Sequence, residues 1–299
     1  LLYCYVLTYK VQGNLYAAVI LGVLTARLGF LMHMGNHSAI SSNSNGNYWV
    51  GLTMDLIGGS SINWQYDHQI SHHLDPNDFK KDNDTAVGSP LVRLHPEHPR
   101  KWWHKYQHYT AFFFMSGGFI SWYLLDIMNF IQNHVGYSKF KPMTRDYVLL
   151  GFFKLLYFAT HVLYPWLYLK QSIGSVLLCV LIHMSVGGQY MENTFVVNHI
   201  QKELRAPLGC HWAVGNVIAS SNWHSGSQFW SFWSGGLNHQ IEHHLFPSIT
   251  HYYYPLISPI VKQTCKEYNL PYHNFASYTD AWTSMRNYLK ELGEKDHLD

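Results

Sequence analysis

The sequence predicts an all-α integral membrane bundle of about four transmembrane helices, topped by a cytosolic helical cap that carries a His-rich dimetal site. Three observations predict it. Charged residues make up only 13% of the 299 residues while aromatic ones reach 16%, with 11 Trp and 22 Tyr. That is too little charge to solvate an ordinary globular surface, and Trp and Tyr favour a membrane interface. Mean hydropathy is nonetheless close to neutral, which requires a substantial wet part beside the spans. The third observation is the 21 histidines, which outnumber both the 20 Lys and Arg and the 18 Asp and Glu. They cluster as His33 and His37, then His68, His72 and His73, then His239, His243 and His244, each cluster beside an apolar segment.

Residues 1 to 11 are apolar and aromatic and read as the end of a membrane helix; because the chain opens at Leu1 inside this run, its amino terminus is expected to be truncated, and no signal peptide can be read or excluded. After the turn-like Gln12-Gly13-Asn14, residues 15 to 32 are interrupted only by Arg27. At 1.5 Å per residue they cover roughly 27 Å, close to the hydrocarbon thickness of a bilayer. His33 and His37 follow where this helix would leave the membrane, so they are interfacial. Residues 38 to 47, rich in Ser, Asn and Gly, form a loop. Residues 48 to 64 are apolar but broken by Gly58-Gly59-Ser60-Ser61, which predicts a helix pair in or near the interface rather than a clean span. Residues 75 to 109 are polar and basic, with Lys80, Lys81, Arg93, Arg100, Lys101 and Lys105, and by the positive-inside tendency face the cytosol.

Three apolar segments come next, 110 to 131, 147 to 169 and 172 to 191. If the second and third His clusters meet at one site, an even number of crossings separates them, so one of the three lies flat or re-enters. Lys139, Lys141 and Arg145 point to the first, leaving the other two, joined by Lys170-Gln171, as a spanning hairpin. Hydropathy alone also permits the first two to pair. Towards the end, residues 254 to 268 show an apolar face at Leu256, Ile257, Ile260, Val261 and Cys265, and residues 278 to 292 another at Trp282, Met285, Tyr288 and Leu289. Both read as amphipathic helices of the cap, there for packing.

A net charge of +2 gives no reason to expect nucleic acid as a partner. Cys4, Cys179, Cys210 and Cys265 are too scattered for a disulfide framework or a Cys-x-x-Cys metal knuckle. The chemistry lies in the histidines. On a helix, Gln240, His243 and His244 share one face. His239, His243 and His244 repeat the i, i+4, i+5 spacing of His68, His72 and His73, so spacing alone nominates His239. Imidazole suits Zn, Cu, Fe and Ni, and a structural zinc takes four ligands; eight or so at one place mean two metals. An all-His dimetal site at a membrane face, holding redox-active iron, fits activation of O2 against an unactivated C–H bond of a lipid chain.

These residues resemble the integral-membrane fatty acid desaturases with three His boxes, here HMGNH, HQISHH and QIEHH. Gln240 at the head of the third box, within GGLNHQIEHHLFP from Gly235, resembles the front-end, acyl-lipid subgroup, which inserts a double bond between an existing one and the carboxyl end. Trp102-Trp-His-Lys-Tyr-Gln107 and Tyr268-Asn-Leu-Pro-Tyr272 resemble it too, so the resemblance covers nearly all of residues 1–299, read as a single desaturase domain. It implies two iron ions held by His33, His37, His68, His72, His73, His243, His244 and one further His, for which His199 is preferred over the mid-segment His183. Gln240 is implied to orient or coordinate, in preference to His239. Asn238, His239, Glu242 and Asp67 are candidates to brace the ligands rather than merely meet solvent; losing such a brace typically costs about 10–100-fold in affinity or activity.

The resemblance further implies an oxidoreductase that uses O2 and two electrons, from cytochrome b5 and its reductase or from ferredoxin in a plastid, to remove hydrogen from two neighbouring methylenes and leave a cis double bond and water. The acyl chain would be carried on a lipid or on CoA. The endoplasmic reticulum is the expected membrane, a plastid membrane the alternative, with the site facing the cytosol. Two departures stand out. Met34 occupies the place where the first box usually has Asp, and no His-Pro-Gly-Gly haem motif matches, since His95-Pro-Glu-His-Pro99 differs from it. The expectation is therefore that a cytochrome b5 domain was cut away with the amino terminus or that electrons come from a separate protein. The rivals are a membrane hydroxylase or ketolase with a similar diiron site and, in another class, a His-rich metal transporter. The transporter needs a path of ionisable residues through the spans, and Arg27, Lys154, His161 and His183 are too scattered to outline one.

Overall fold

A computed structural model describes residues 13–207 and 209–296; the apolar run at residues 1 to 11 lies outside the described residues. The first long helix, α1 (Leu15–Asn36), starts where the Asn14 side chain accepts the Tyr16 and Ala17 backbone N–H groups, an N-cap. It carries His33 on its last turn, with His37 just beyond. Residues 48 to 64 are not a helix pair but three short pieces, α2 (Ser44–Gly51), α3 (Thr53–Leu56) and α4 (Ser61–Trp64), interrupted as expected around Gly58 and Gly59. Gly58 has a φ of +100°, a conformation that side chains with a Cβ rarely adopt. A π-helix, Gln65–His72, continues directly from α4.

The apolar segment after residue 110 does not run straight. Helices α5 (Gln107–Met115) and α6 (Gly118–Gln132) belong to a pair bent by 79° at Ser116-Gly117. The bend packs on the later span α8 (Ile173–Val196), where a Cβ on Gly188 would stand 2.9 Å from the Met115 carbonyl, so only glycine allows this approach. Gln189 donates to the Ser116 hydroxyl at 2.7 Å and also to the Phe112 carbonyl. Between them, α7 (Thr144–Phe158) and the π-helix Ala159–Tyr168 form one long helix, whose second half widens at Pro165, a residue that cannot donate to the helical ladder.

Among the described residues, three helices, Leu15–Asn36, Thr144–Tyr168 and Ile173–Val196, can cross a membrane by length and composition, or four if the bent pair counts as a span. Residues flanking this region on both sides meet at one site, described below, so an even number of crossings lies between them, and the 79° bend makes the pair a broken span or a re-entrant loop. A buried ion pair holds it there. Lys154 Nζ lies 2.8 Å from Asp126 Oδ2, whose other oxygen accepts from Asn63 at 2.8 Å, and Lys154 also donates to the Gly58 carbonyl at 2.6 Å. Burying such a charge requires a partner. Lys154 is therefore used to fix α6 against α7 and the short helices rather than to line a transport path. His183, likewise, bonds the Tyr157 hydroxyl at 2.8 Å inside the bundle.

The cap is built from α9 (Trp212–Ile218), α10 (Gln228–Trp233), α11 (Gln240–Leu245), α12 (Tyr254–Glu267) and α13 (Tyr278–Glu294). Two short strands, β1 (His134–Val135) and β2 (Ser138–Lys139), pair antiparallel; β3 (Asn222–Trp223) and β4 (Asn274–Phe275) pair parallel. The core of α13 is the one its periodicity predicts, with Met285, Tyr288 and Leu289 buried. On α12 the expectation needs correcting. Leu256 and Ile260 are 67% and 65% exposed, and the buried stripe is Tyr254, Val261 and Cys265. The helix is turned so that Tyr254 reaches the histidines, which rotates Leu256 and Ile260 outward. Arg27 ties the cap to the spans by donating to the carbonyls of Phe232 and Trp233 at 2.6 and 2.8 Å.

Candidate metal centre

The three His clusters converge where α1 ends, and they do so for local reasons. The His33/His37 spacing stacks both rings over one helical face, with centroids 4.7 Å apart. The second cluster depends on the π-helix. Its i→i+5 bond, His73 N–H to the His68 carbonyl at 2.9 Å, sets residues four and five positions later on either side of the site above His68, so His68, His72 and His73 all face inward. The third cluster differs although its spacing is the same. His239 closes a 3₁₀ turn, with a non-helical backbone (φ −115°, ψ 55°), before α11 begins at Gln240. It therefore leaves the inward face, and its Nδ1 lies 3.0 Å from the Ser258 hydroxyl.

Seven imidazoles fall into two groups whose nitrogens lie within 4.8 Å of one another, His33, His37, His68 and His243, and His72, His199 and His244, and a third grouping at the same spacing, His68 and His72 with the Asp84 carboxylate, joins them. All seven are buried. Within them, His33 Nε2 is 3.2 Å from His68 Nε2, and His244 Nε2 is 3.2 Å from His199 Nε2. The Gln240 side-chain amide nitrogen is 2.9 Å from His199 Nε2, which places this residue beside the second group. His73 bridges the two: its Nε2 is 3.1 Å from His68 Nε2, and its ring stacks on His244 at 4.2 Å. His199 thus joins the centre, whereas His183 does not.

This donor set fits metal ions. Two nitrogens bound to one ion at about 2.1 Å, at angles from a right angle to tetrahedral, lie about 3.0–3.4 Å apart, which is the spacing of the facing Nε2 atoms. The Nε2 atoms of His37 and His243 are buried with no hydrogen-bond partner, a costly arrangement unless a cation takes the lone pairs. Burial holds His68, His73, His243 and His244 well below the usual histidine range, and His37 and His199 down at about 3, so these rings are neutral, the form in which imidazole can bind a metal. On His72 burial acts the same way, but the Asp82 and Asp84 carboxylates override it and raise the ring to about 9.

The partners of the outward-facing nitrogens set each ring's direction. His72 Nδ1 lies 3.1 Å from Asp82 Oδ2 and 3.3 Å from Asp84 Oδ2. His199 Nδ1 donates to the Ala219 carbonyl at 2.9 Å, His244 Nδ1 to Asn216 Oδ1 at 2.8 Å, and His243 Nδ1 lies 3.2 Å from the Tyr254 hydroxyl. Of the braces read from the sequence, Glu242 accepts from Asn222 and Tyr272 at 2.8 Å each and holds α11 from behind. Asp67 accepts from Asn83 at 2.8 Å, and burial raises its carboxyl to about 6. The Asn238 side chain bonds Ser234 and the His224 carbonyl. Asp82, Asn216 and Tyr254, which do touch imidazoles, carry no signal in the sequence. Four acids between residues 75 and 84 compete for the role of Asp82, and Asn216 and Tyr254 come close only through tertiary packing.

A small crevice reaches the first group from outside, lined among others by Met34, His37, Gly235, His243, His251 and Tyr254. Met34 Sδ lies 3.2 Å from His251 Nδ1. The thioether therefore faces a histidine of the crevice wall at the position where a carboxylate was expected.

The family model for fatty acid desaturases matches residues 13–276. The acyl-lipid (8-3)-desaturase of Physcomitrium patens is 32% identical over 293 residues, covering 95% of this chain and 60% of that protein. The chloroplastic acyl-lipid (7-3)-desaturase of Chlamydomonas reinhardtii is 31% identical over 309 residues, covering 95% and 57%. The sn-1 linoleoyl-lipid 6-desaturase of Arthrospira platensis is 29% identical over 288 residues, covering 93% and 78%. The chain thus spans about three fifths of the length of the first two. No solved structure matches it. Three converging His clusters at the end of apolar helices and these matches lead to one conclusion: the chain belongs to the fatty acid desaturase family.

Proposed function

We propose that this chain is the catalytic domain, residues 1–299, of a membrane-bound front-end desaturase that places a cis double bond in an already unsaturated acyl chain carried on a membrane lipid. The observation that carries the reading is the pair of buried imidazole groups with facing Nε2 atoms, assembled from residues far apart in the chain. His33, His37, His68, His73 and His243 would hold one iron, and His72, His199 and His244 with Gln240 the other. The two irons would supply reductive activation of O2, and with it the oxidising power to remove two hydrogens from an unactivated chain.

The protein's own part is to aim the rings and, at every one but His72, to hold them neutral. Asp82 keeps a proton on His72 Nδ1, so Nε2 is left to coordinate, and the Ala219 carbonyl and Asn216 do the same for His199 and His244. Trp64, stacked on His68 at 4.4 Å, and Phe195, 5.6 Å from His33, keep bulk water from the first group. The named relatives act on acyl lipids, which favours a lipid over CoA as the carrier. Electrons would come from cytochrome b5 and its reductase, or from ferredoxin in a plastid, and the endoplasmic reticulum is the default membrane, with the site facing the cytosol.

The test is expression in a host fed several polyunsaturated acids, with cytochrome b5 and its reductase supplied, beside a His243→Ala control. A new double bond on the carboxyl side of an existing one, absent from the control, is the expected result. Hydroxylated products would move the assignment to a hydroxylase, and metal uptake into vesicles with unchanged acyl chains would move it to a transporter.

A further inference from the structure

The loop that follows the second His cluster is pinned to two ligands of the same group from two different elements. Asp82 is fully buried, and its Oδ2 accepts from both the His72 ring and the Asn77 backbone N–H, the latter at 2.7 Å. Its Oδ1 accepts the Asp84 N–H at 2.9 Å. The Asn77 side-chain amide points the other way. It donates to the carbonyls of His199 at 3.1 Å, Leu204 at 2.9 Å and Ala219 at 3.4 Å. The Ala219 carbonyl is the one that receives His199 Nδ1–H. Ser71 anchors the loop's far end, its hydroxyl accepting the Asn83 N–H at 2.8 Å. Asn77 adopts a φ of +62°, which Asn tolerates better than most residues. One residue therefore links the ring of His72, through Asp82, to the backbone and the ring partner of His199.

We propose that Asn77 and Asp82 are positioning residues that set His72 and His199 at a common distance, so that the second metal position, and not the first, depends on this loop. The first group takes His33 and His37 from α1, His68 from the π-helix and His243 from α11, none of which hydrogen-bonds the loop through its ring. The inference rests on the diiron reading above.

The experiment uses the full chain purified in detergent, with iron per chain measured by elemental analysis and the paired or isolated character of the ferric ions read by Mössbauer and electron paramagnetic resonance spectroscopy. Asn77→Gly suits the positive φ and keeps the backbone N–H on Asp82 while deleting only the amide. Asp82→Asn keeps the volume and gives a second, independent perturbation. The expected result is that both bind the second iron about 10–100-fold more weakly. The remaining iron is then magnetically isolated, as in His199→Ala, while His37→Ala loses the other iron. Two coupled irons with unchanged affinity in both variants would overturn the proposal, as would loss of both irons together with lowered thermal stability, the mark of a purely structural loop. A wild-type chain that holds no iron pair would instead overturn the diiron reading itself.

Discussion

The two imidazole groups lie side by side, yet they are held by different physics. In the second, three outward nitrogens meet polar partners: Asp82 for His72, the Ala219 carbonyl for His199 and Asn216 for His244. In the first, aromatic packing dominates. Trp64 stacks on His68 at 4.4 Å and meets His33 and His37 edge-on at 5.4 Å each, and only the Tyr254 hydroxyl braces His243. Hydrogen bonds fix a ring's rotation and tautomer, whereas packing fixes its position and excludes water. The first group is also the one the crevice reaches. A half braced by polar partners and a half held by aromatic packing make a division that can be tested.

The largest effect is expected where the division should not matter. His72→Ala and His243→Ala each remove a nitrogen from one group, and each should abolish formation of the new double bond, measured by mass-spectrometric product mapping. Activity surviving in either variant would mean that one group suffices. Next comes Trp64→Ala, which deletes a side chain only 6% exposed and leaves a cavity against three rings. It should destabilise the protein by about 3–5 kcal/mol, read by thermal unfolding in detergent. If stability is unchanged, packing is not what holds the first group.

Asn216→Ala should act oppositely. It leaves His244 Nδ1 without its acceptor, so iron affinity should fall about 10–100-fold, while stability falls by only about 1–3 kcal/mol. A metal titration beside a melting curve separates the two readouts. The smallest effect belongs to Tyr254→Phe, which removes one hydroxyl at 3.2 Å from His243 and keeps the ring. Activity should drop less than about tenfold and stability by about 1 kcal/mol. A drop as deep as that of Asn216→Ala would show that the first group depends on polar bracing as much as the second.

Much of this centre was legible before any coordinates. His33 and His37 fell on one helical face because an α-helix imposes that spacing, and His68, His72 and His73 announced themselves by number. The identical spacing of His239, His243 and His244 misleads, because spacing carries meaning only with a known helix type. A π-helix brings i+4 and i+5 inward together, while a 3₁₀-to-α junction turns His239 towards Ser258. The face assigned to Leu256 and Ile260 failed for a related reason. Periodicity locates an apolar stripe but not the rotation that a neighbouring contact, here Tyr254 with His243, imposes on the helix.

By itself the sequence determined the class of the molecule and its chemistry. Low charge, many aromatics and long apolar runs dictate membrane helices, because an apolar helix face must be buried or meet lipid, and clustered histidines point to a metal centre. Only the tertiary structure decided that two of four nearby acids, Asp82 and Asp84, brace His72, that Asn77 joins the Asp82 brace to His199, and that the segment after residue 110 bends by 79° at Ser116-Gly117. The physical reason is range. Helical propensity and hydropathy act over a few residues, whereas the Asn77 hydrogen bonds behind the second group join residues 122 and 142 positions apart, and only folding brings them together.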